Sequence, residues 1–263
     1  RRQRQMCIRD RYEGTNYSGF QKQSNAITVQ DCLLNAFNEI IDHPIDMNIS
    51  GRTDKGVHAL GQVFDINTDI HRKQEQWING LNASLPNDIS IVDVIEVPND
   101  FHARFDATER QYCHVLFLGN EKPIIQKNFV SWIKRDIDIE KLKLQTKFLL
   151  GKHDFSAFRS SRCNSNNPIR EIKSIEIKQH KKMVFITITA NAFLQNMVRI
   201  IVGTLIDIAK NEISISLKEI MISKDRKFAG KTMTPSGLFY LGKKAHLVSV
   251  SYTHLRAHET RTY

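Results

Sequence analysis

Cysteine is scarce and scattered. The four residues Cys7, Cys32, Cys113 and Cys163 include no CxxC pair, which argues against a zinc ribbon or a thioredoxin-like redox pair and fits a reduced, cytosolic compartment. No run of 18 uncharged apolar residues occurs, so the sequence offers no membrane-spanning segment. The basic opening runs into Arg9, Asp10 and Arg11 before any apolar signal core can form. The GxxxxGKS/T and GxGxxG phosphate cradles are missing, as are HExxH and the GxSxG elbow. Acidic residues are the minority, 28 against 38 Lys and Arg, which leaves a formal charge of +10. That excess favours a polyanionic partner. A chain of 263 residues makes one or two domains with a real core.

Hydrophobic periodicity gives an ordered series of elements. Residues 6–12 read as a strand, and Thr28 as the cap of a helix carrying Val29, Cys32, Leu33, Phe37, Ile40 and Ile41. Extended pieces follow at 45–49 and 61–66, then a helix over 73–85 and a β-branched strand over 89–97. The order is β-α-β-β-α-β. It recurs with a strand at 110–118, a helix at 139–150, a hairpin of 169–177 with 183–189, and an apolar helix at 193–209. A closing strand at 238–241 is expected to continue into 245–250. The expected architecture is α+β, with one lobe over residues 1–105 and a second over 106–263.

Three polar loops stand apart: 50–59, 156–168 and 223–237. The second carries Arg159 and Arg162, with Arg170 just beyond it; the third carries Lys224, Arg226 and Lys227 against Asp225. Loops of this length in a compact protein tend to be functional or disordered. Phosphate contact and plain solvation both account for their charge. The densest chemistry lies in Gly51-Arg52-Thr53-Asp54-Lys55-Gly56-Val57-His58-Ala59. Flanking cations would keep Asp54 ionised, as a nucleophile requires; a tight turn in which Asp54 accepts backbone hydrogen bonds is the competing account. Arg199, set in Met197-Val198-Arg199-Ile200-Ile201-Val202, must either snorkel or find an anion, and Asp54 would serve. Rings alternate with cations in 101–106, in Arg110-Gln111-Tyr112 and in 155–159. The mix suits single-stranded nucleic acid, although Tyr112 on a strand could equally be a core residue.

Together these segments resemble the TruA family of tRNA pseudouridine synthases. The 51–59 segment resembles its signature, and Tyr12-Glu13-Gly14-Thr15-Asn16-Tyr17-Ser18-Gly19-Phe20-Gln21 its first strand and loop. Further matches fall, in order, at 102–107 with 110–112, at 151–158 with 168–170, at 193–203 and at 235–238. The resemblance implies two ferredoxin-like lobes with antiparallel sheets meeting around a basic central cleft, and a homodimer. It implies isomerisation of uridine to pseudouridine at positions 38–40 of the tRNA anticodon arm, with no metal or organic cofactor. By the same resemblance Asp54 is the catalytic carboxylate, Arg52 assists base extrusion, Tyr112 packs against or exchanges protons with the base, and Arg199 pairs with Asp54. Lys55, His58, Arg104, Arg110, Arg159, Arg162, Arg170, Lys224, Arg226 and Lys227 are the expected RNA contacts. Departures from the family pattern are His114 in place of a second aromatic, Leu194-Gln195-Asn196 before Met197, and Thr232-Met233-Thr234 before Pro235. A non-catalytic RNA-binding platform is the competing function, and a synthase acting on another RNA a third.

Overall fold

The computed structural model describes residues 3–163 and 165–242. The first strand, β1 (Arg4–Tyr12), is followed by α1 (Val29–Asn38), β2 (Met47–Ile49), β3 (His58–Thr68), α2 (Gln74–Ser84) and β4 (Ile89–Val97). After it come β5 (Arg110–Leu118), β6 (Ser131–Ile133), α3 (Ile139–Thr146), β7 (Gly151–Asp154), β8 (Ile169–His180), β9 (Met183–Ala190), α4 (Met197–Ala209), α5 (Leu217–Ser223) and β10 (Leu238–Gly242). All ten strands form one mostly antiparallel sheet in the order β4-β1-β3-β10-β5-β9-β8-β7, with β2 on β3 and β6 on β5. Strand β10 is the seam. It pairs parallel to β3 at His58–Ala59 and antiparallel to β5, so the last described strand joins the two halves of the chain.

Local chemistry explains the elements. Thr28 and Asp31 form a reciprocal capping box at α1, which buries Val29, Leu33, Ala36 and Phe37. Helix α2 buries Trp77 and Leu81 against the same face of the sheet. Every residue of α4 except Arg199 is buried. The opposite sheet face carries two smaller apolar clusters, one around Cys7, Val63, Val97 and Phe101, the other around Cys113, Val115 and Val130.

Strands 89–97 and 110–118 coincide with expectation. The apolar helix starts later than expected, at Met197, because Asn196 adopts a left-handed conformation (φ 61°). The expected 139–150 helix ends at Thr146 and tightens into a 3-10 turn at Lys147–Leu149, before Gly151 at φ +92°. The hairpin is longer than its apolar residues indicated, since Lys181 supplies a left-handed turn (φ 53°). Elements β6, β7 and α5 were not anticipated. The expected continuation over 245–250 lies outside the described residues. Among the described residues no helix is long and apolar enough to cross a membrane.

Candidate active site

A cleft of about 750 Å³ opens at the β10 seam, between the 51–57 loop on one side and the start of α4 on the other. The loop is held from several directions. The Phe20 N–H donates to Thr53 O (3.2 Å), Val57 N–H to Asp54 O (3.1 Å) and Gly56 N–H to Tyr17 O (3.3 Å). Gly56 has φ +78°, and a Cβ there would stand 2.9 Å from Pro235 Cγ. Beneath the loop the Tyr12 hydroxyl lies 2.7 Å from Thr53 Oγ1. Gln62 Nε2 donates to Gly51 O (2.5 Å), the Ser50 hydroxyl donates to Gln62 Oε1 (2.8 Å), and Tyr240 OH lies 3.2 Å from Ser50 Oγ. A buried polar floor therefore fixes the backbone that leads into Asp54.

Asp54 is half-buried and lines the cleft. Burial raises its carboxyl above the ordinary carboxylate range, while the Arg199 guanidinium pulls it back down. Arg199 responds in the opposite sense: burial lowers its pKa and Asp54 raises it. The coupling acts through space. Arg199 Nε donates to Met233 O (2.6 Å) and NH1 to Asn196 Oδ1 (2.9 Å), and among the described residues no ion pair joins it to Asp54.

Tyr112 is buried at the base of the cleft, its hydroxyl donating to Arg52 O (3.3 Å). Its ring stands edge-on to Phe193 (5.1 Å, 87°) and tilts against Tyr240 (5.0 Å). Burial first, then the neighbouring Tyr240 and Asp54, pushes its phenol far above the ordinary range, so the hydroxyl is protonated at neutral pH.

Of the sequence-predicted site residues, Arg52, Asp54, Arg104, Arg110, Tyr112, Arg162, Arg170 and Arg199 line this one cleft. Arg104 stacks over the exposed ring of Phe105 at 5.7 Å. Arg110 holds the seam together: its guanidinium donates to Ser50 O, Ala107 O, Asn191 O and Arg104 O. Arg159, Lys224 and Arg226 gather elsewhere, around a second concavity of about 440 Å³, where Lys224 Nζ lies 3.2 Å from Asp154. Lys55 and Lys227 are exposed. His58 is 1% exposed and stacks on Phe239 at 4.8 Å. Its Nδ1 accepts from Gly14 N–H (3.0 Å), which puts the proton on Nε2, facing Asn128 O (2.8 Å) and Ser236 O (3.1 Å). Burial lowers its pKa, and this geometry makes it a neutral packing residue. Sequence reasoning missed Asn196, the Met233 carbonyl and the floor of Ser50, Gln62 and Tyr240. None carried a local signal, since Asn196 fell inside the helix expected over 193–209.

A family model described as tRNA pseudouridine synthase matches residues 8–106 and 146–242. The tRNA pseudouridine synthase A of Nitrosomonas europaea is 42% identical over 232 residues, 88% of this chain and 85% of its own. The protein of that name from Hydrogenovibrio crunogenus is 39% identical over 237 residues, 90% of each chain. That of Vibrio parahaemolyticus is 40% identical over 242 residues, 92% of this chain and 89% of its own.

Proposed function

Since this chain belongs to the tRNA pseudouridine synthase family, we propose that it isomerises uridine to pseudouridine in tRNA, at positions 38–40 of the anticodon arm, with Asp54 as the catalytic carboxylate. The observation that carries the reading is the half-buried Asp54 coupled to Arg199 in a cleft where it is the one acidic residue among six arginines. A carboxylate there repels phosphate, so it is poorly suited to binding alone. In the reaction the N1–C1′ bond breaks, uracil rotates, a C5–C1′ bond forms, and the C5 proton leaves as N1 gains one. Arg199 keeps Asp54 ionised against the cost of burial. Arg52, exposed at the cleft edge, fills the stack as the base leaves it, at a cost of a few kcal/mol. Tyr112 supplies a ring for the base and a protonated hydroxyl beside it. Exposed Arg104, Arg162 and Phe105 meet phosphates and bases of the arm.

The same reading divides the chain into ferredoxin-like lobes at residues 1–105 and 106–263, joined at β10, and assigns a cytoplasmic homodimer that works without metal or organic cofactor. Incubation with unmodified tRNA transcripts, followed by chemical mapping of pseudouridine, tests it. Modification at 38–40 is the expected result; transcripts that are bound and left unchanged would favour the non-catalytic platform.

A further inference from the structure

The segment 230–237 is a strap that touches both sides of the site. Along α4, Gly230 N–H donates to Thr204 Oγ1 (2.8 Å) and Lys231 N–H to Asp207 Oδ2 (3.1 Å). The approach is so close that a Cβ on Gly203 would lie 1.8 Å from Lys231 O. The strap then meets Arg199 twice, Met233 N–H donating to Arg199 O (3.2 Å) and Arg199 Nε to Met233 O (2.6 Å). Two residues later Pro235 abuts Gly56, and Ser236 O accepts from His58. Arg199 and the Asp54 loop are thus spaced by one short length of backbone.

Between these two contacts stands Thr234, and its hydroxyl is the near end of a chain leading into the core. Thr234 Oγ1 lies 2.8 Å from Ser131 Oγ, which lies 2.8 Å from His114 Nε2. Ser131 is 1% exposed and His114 fully buried. On the other side Thr234 Oγ1 lies 3.1 Å from Ser236 Oγ, which donates to Val130 O (3.3 Å). A carbonyl can only accept, so each hydroxyl points toward Val130 and His114 donates through Nε2. The chain is a directed line from β5 to the strap. Two departures from the family pattern, His114 and Thr234, are its members.

We infer that His114, Ser131 and Thr234 are positioning residues, a hydrogen-bonded line that runs from the core to the exposed Thr234 and sets the strap and so the placement of Arg199 against Asp54. The inference rests on the proposed role of Asp54, but it can be tested without catalysis. The 13C signal of the Asp54 carboxyl, assigned by its disappearance in Asp54→Asn, is titrated in free protein. Thr234→Val removes the hydroxyl at an exposed position and keeps the shape; Thr234→Ser keeps the hydroxyl; Ser131→Ala breaks the line one step deeper. The other cations of the cleft, Arg52, Arg104, Arg110, Arg162 and Arg170, are unchanged in all three, as is Tyr112. Thr234→Val and Ser131→Ala should raise the Asp54 titration by roughly half a pH unit or more as Arg199 drifts, and Thr234→Ser should match the parent. The acid limb of single-turnover modification should move up with it while tRNA affinity holds. An unmoved Asp54 titration in a folded Thr234→Val or Ser131→Ala protein overturns the inference, as does an equal shift in Thr234→Ser. A parent that makes no pseudouridine while these shifts appear would remove the proposed reaction and leave the positioning line standing.

Discussion

Gly19 and Thr53 meet backbone to backbone: a Cβ on Gly19 would stand 2.7 Å from Thr53 O and 3.3 Å from the carbonyl carbon of Asp54. Gly19 also has φ +92°, which side chains rarely adopt. The loop after β1 is therefore the outer wall of the Asp54 turn. Gly19→Ala should cost about 1–2 kcal/mol of stability and lower kcat beyond what destabilisation explains, because Asp54 is displaced. Unfolding by denaturant and turnover at a temperature where the variant is fully folded separate the two effects.

That contact also shows how far sequence could reach. Residues 12–21 and 51–59 were legible as motifs, but their packing against each other came only with the fold. Capping signals carried real information: Thr28 marked α1, and Ser216 with Glu219 forms an equally good box at α5, a helix of seven residues too short for its period to stand out. Strands β6 and β7 have three and four residues, too few for a period to register. The half-buried Arg199 was legible as a charge in an apolar run. Its partners were not, because Met233 acts through its carbonyl, and Asn196 accepts through Oδ1 only once its left-handed backbone has set it at the head of α4. The resemblance made His58 and Arg110 expected RNA contacts; in the fold the donors of both are engaged by backbone carbonyls.

Asp54→Asn should abolish isomerisation and leave most tRNA affinity intact. The change preserves shape and removes the carboxylate, and the cations that hold phosphate remain. Loss of a negative charge from the cleft should tighten binding slightly. Tritium release from C5-labelled uridine measures turnover, and a rate within about tenfold of the parent would remove Asp54 from the chemical step.

Binding should be strongly salt-dependent. With about five phosphates neutralised, log Kobs should fall with log salt at a slope of roughly −3.5 to −4.5. A filter-binding titration measures the slope, and a flat line would show that the arginines of the cleft do not meet the backbone.

Tyr112→Phe isolates the hydroxyl. The ring contacts with Phe193 and Tyr240 persist, so base stacking, worth roughly 1–3 kcal/mol, should survive. The phenol is protonated in the free protein, and its hydrogen bond to Arg52 O is the only interaction the change deletes among those described. If proton transfer from C5 runs through this hydroxyl, the loss should be on the order of 10²–10⁴ in rate. Unchanged affinity with slow single turnover is the expected pattern, whereas Tyr112→Ala should weaken binding as well. Equal rates for Phe and the parent would confine Tyr112 to packing.

Asp10 gives a stability prediction with a definite sign. It is fully buried in β1, neither carboxyl oxygen has a side-chain partner among the described residues, and burial pushes its pKa well above the ordinary value against a smaller pull from its own backbone amide. Burial therefore favours the protonated acid, as it favours the protonated phenols of the neighbouring Tyr12 and Tyr240. A raised folded pKa means that the native state binds more protons than the unfolded chain at intermediate pH. Stability from this group is then complete below about pH 4 and declines as pH rises toward the folded pKa. Asp10→Val places a β-branched side chain in mid-strand and removes the polar oxygens, so it should stabilise the protein by about 1–3 kcal/mol at neutral pH. The gain should shrink toward about pH 4, where the parent pays no deprotonation penalty. Urea unfolding of both proteins at the two pH values measures it. A difference that stays constant with pH would mean that Asp10 titrates alike in the folded and unfolded chains, and that a partner holds its carboxylate in the floor of the site.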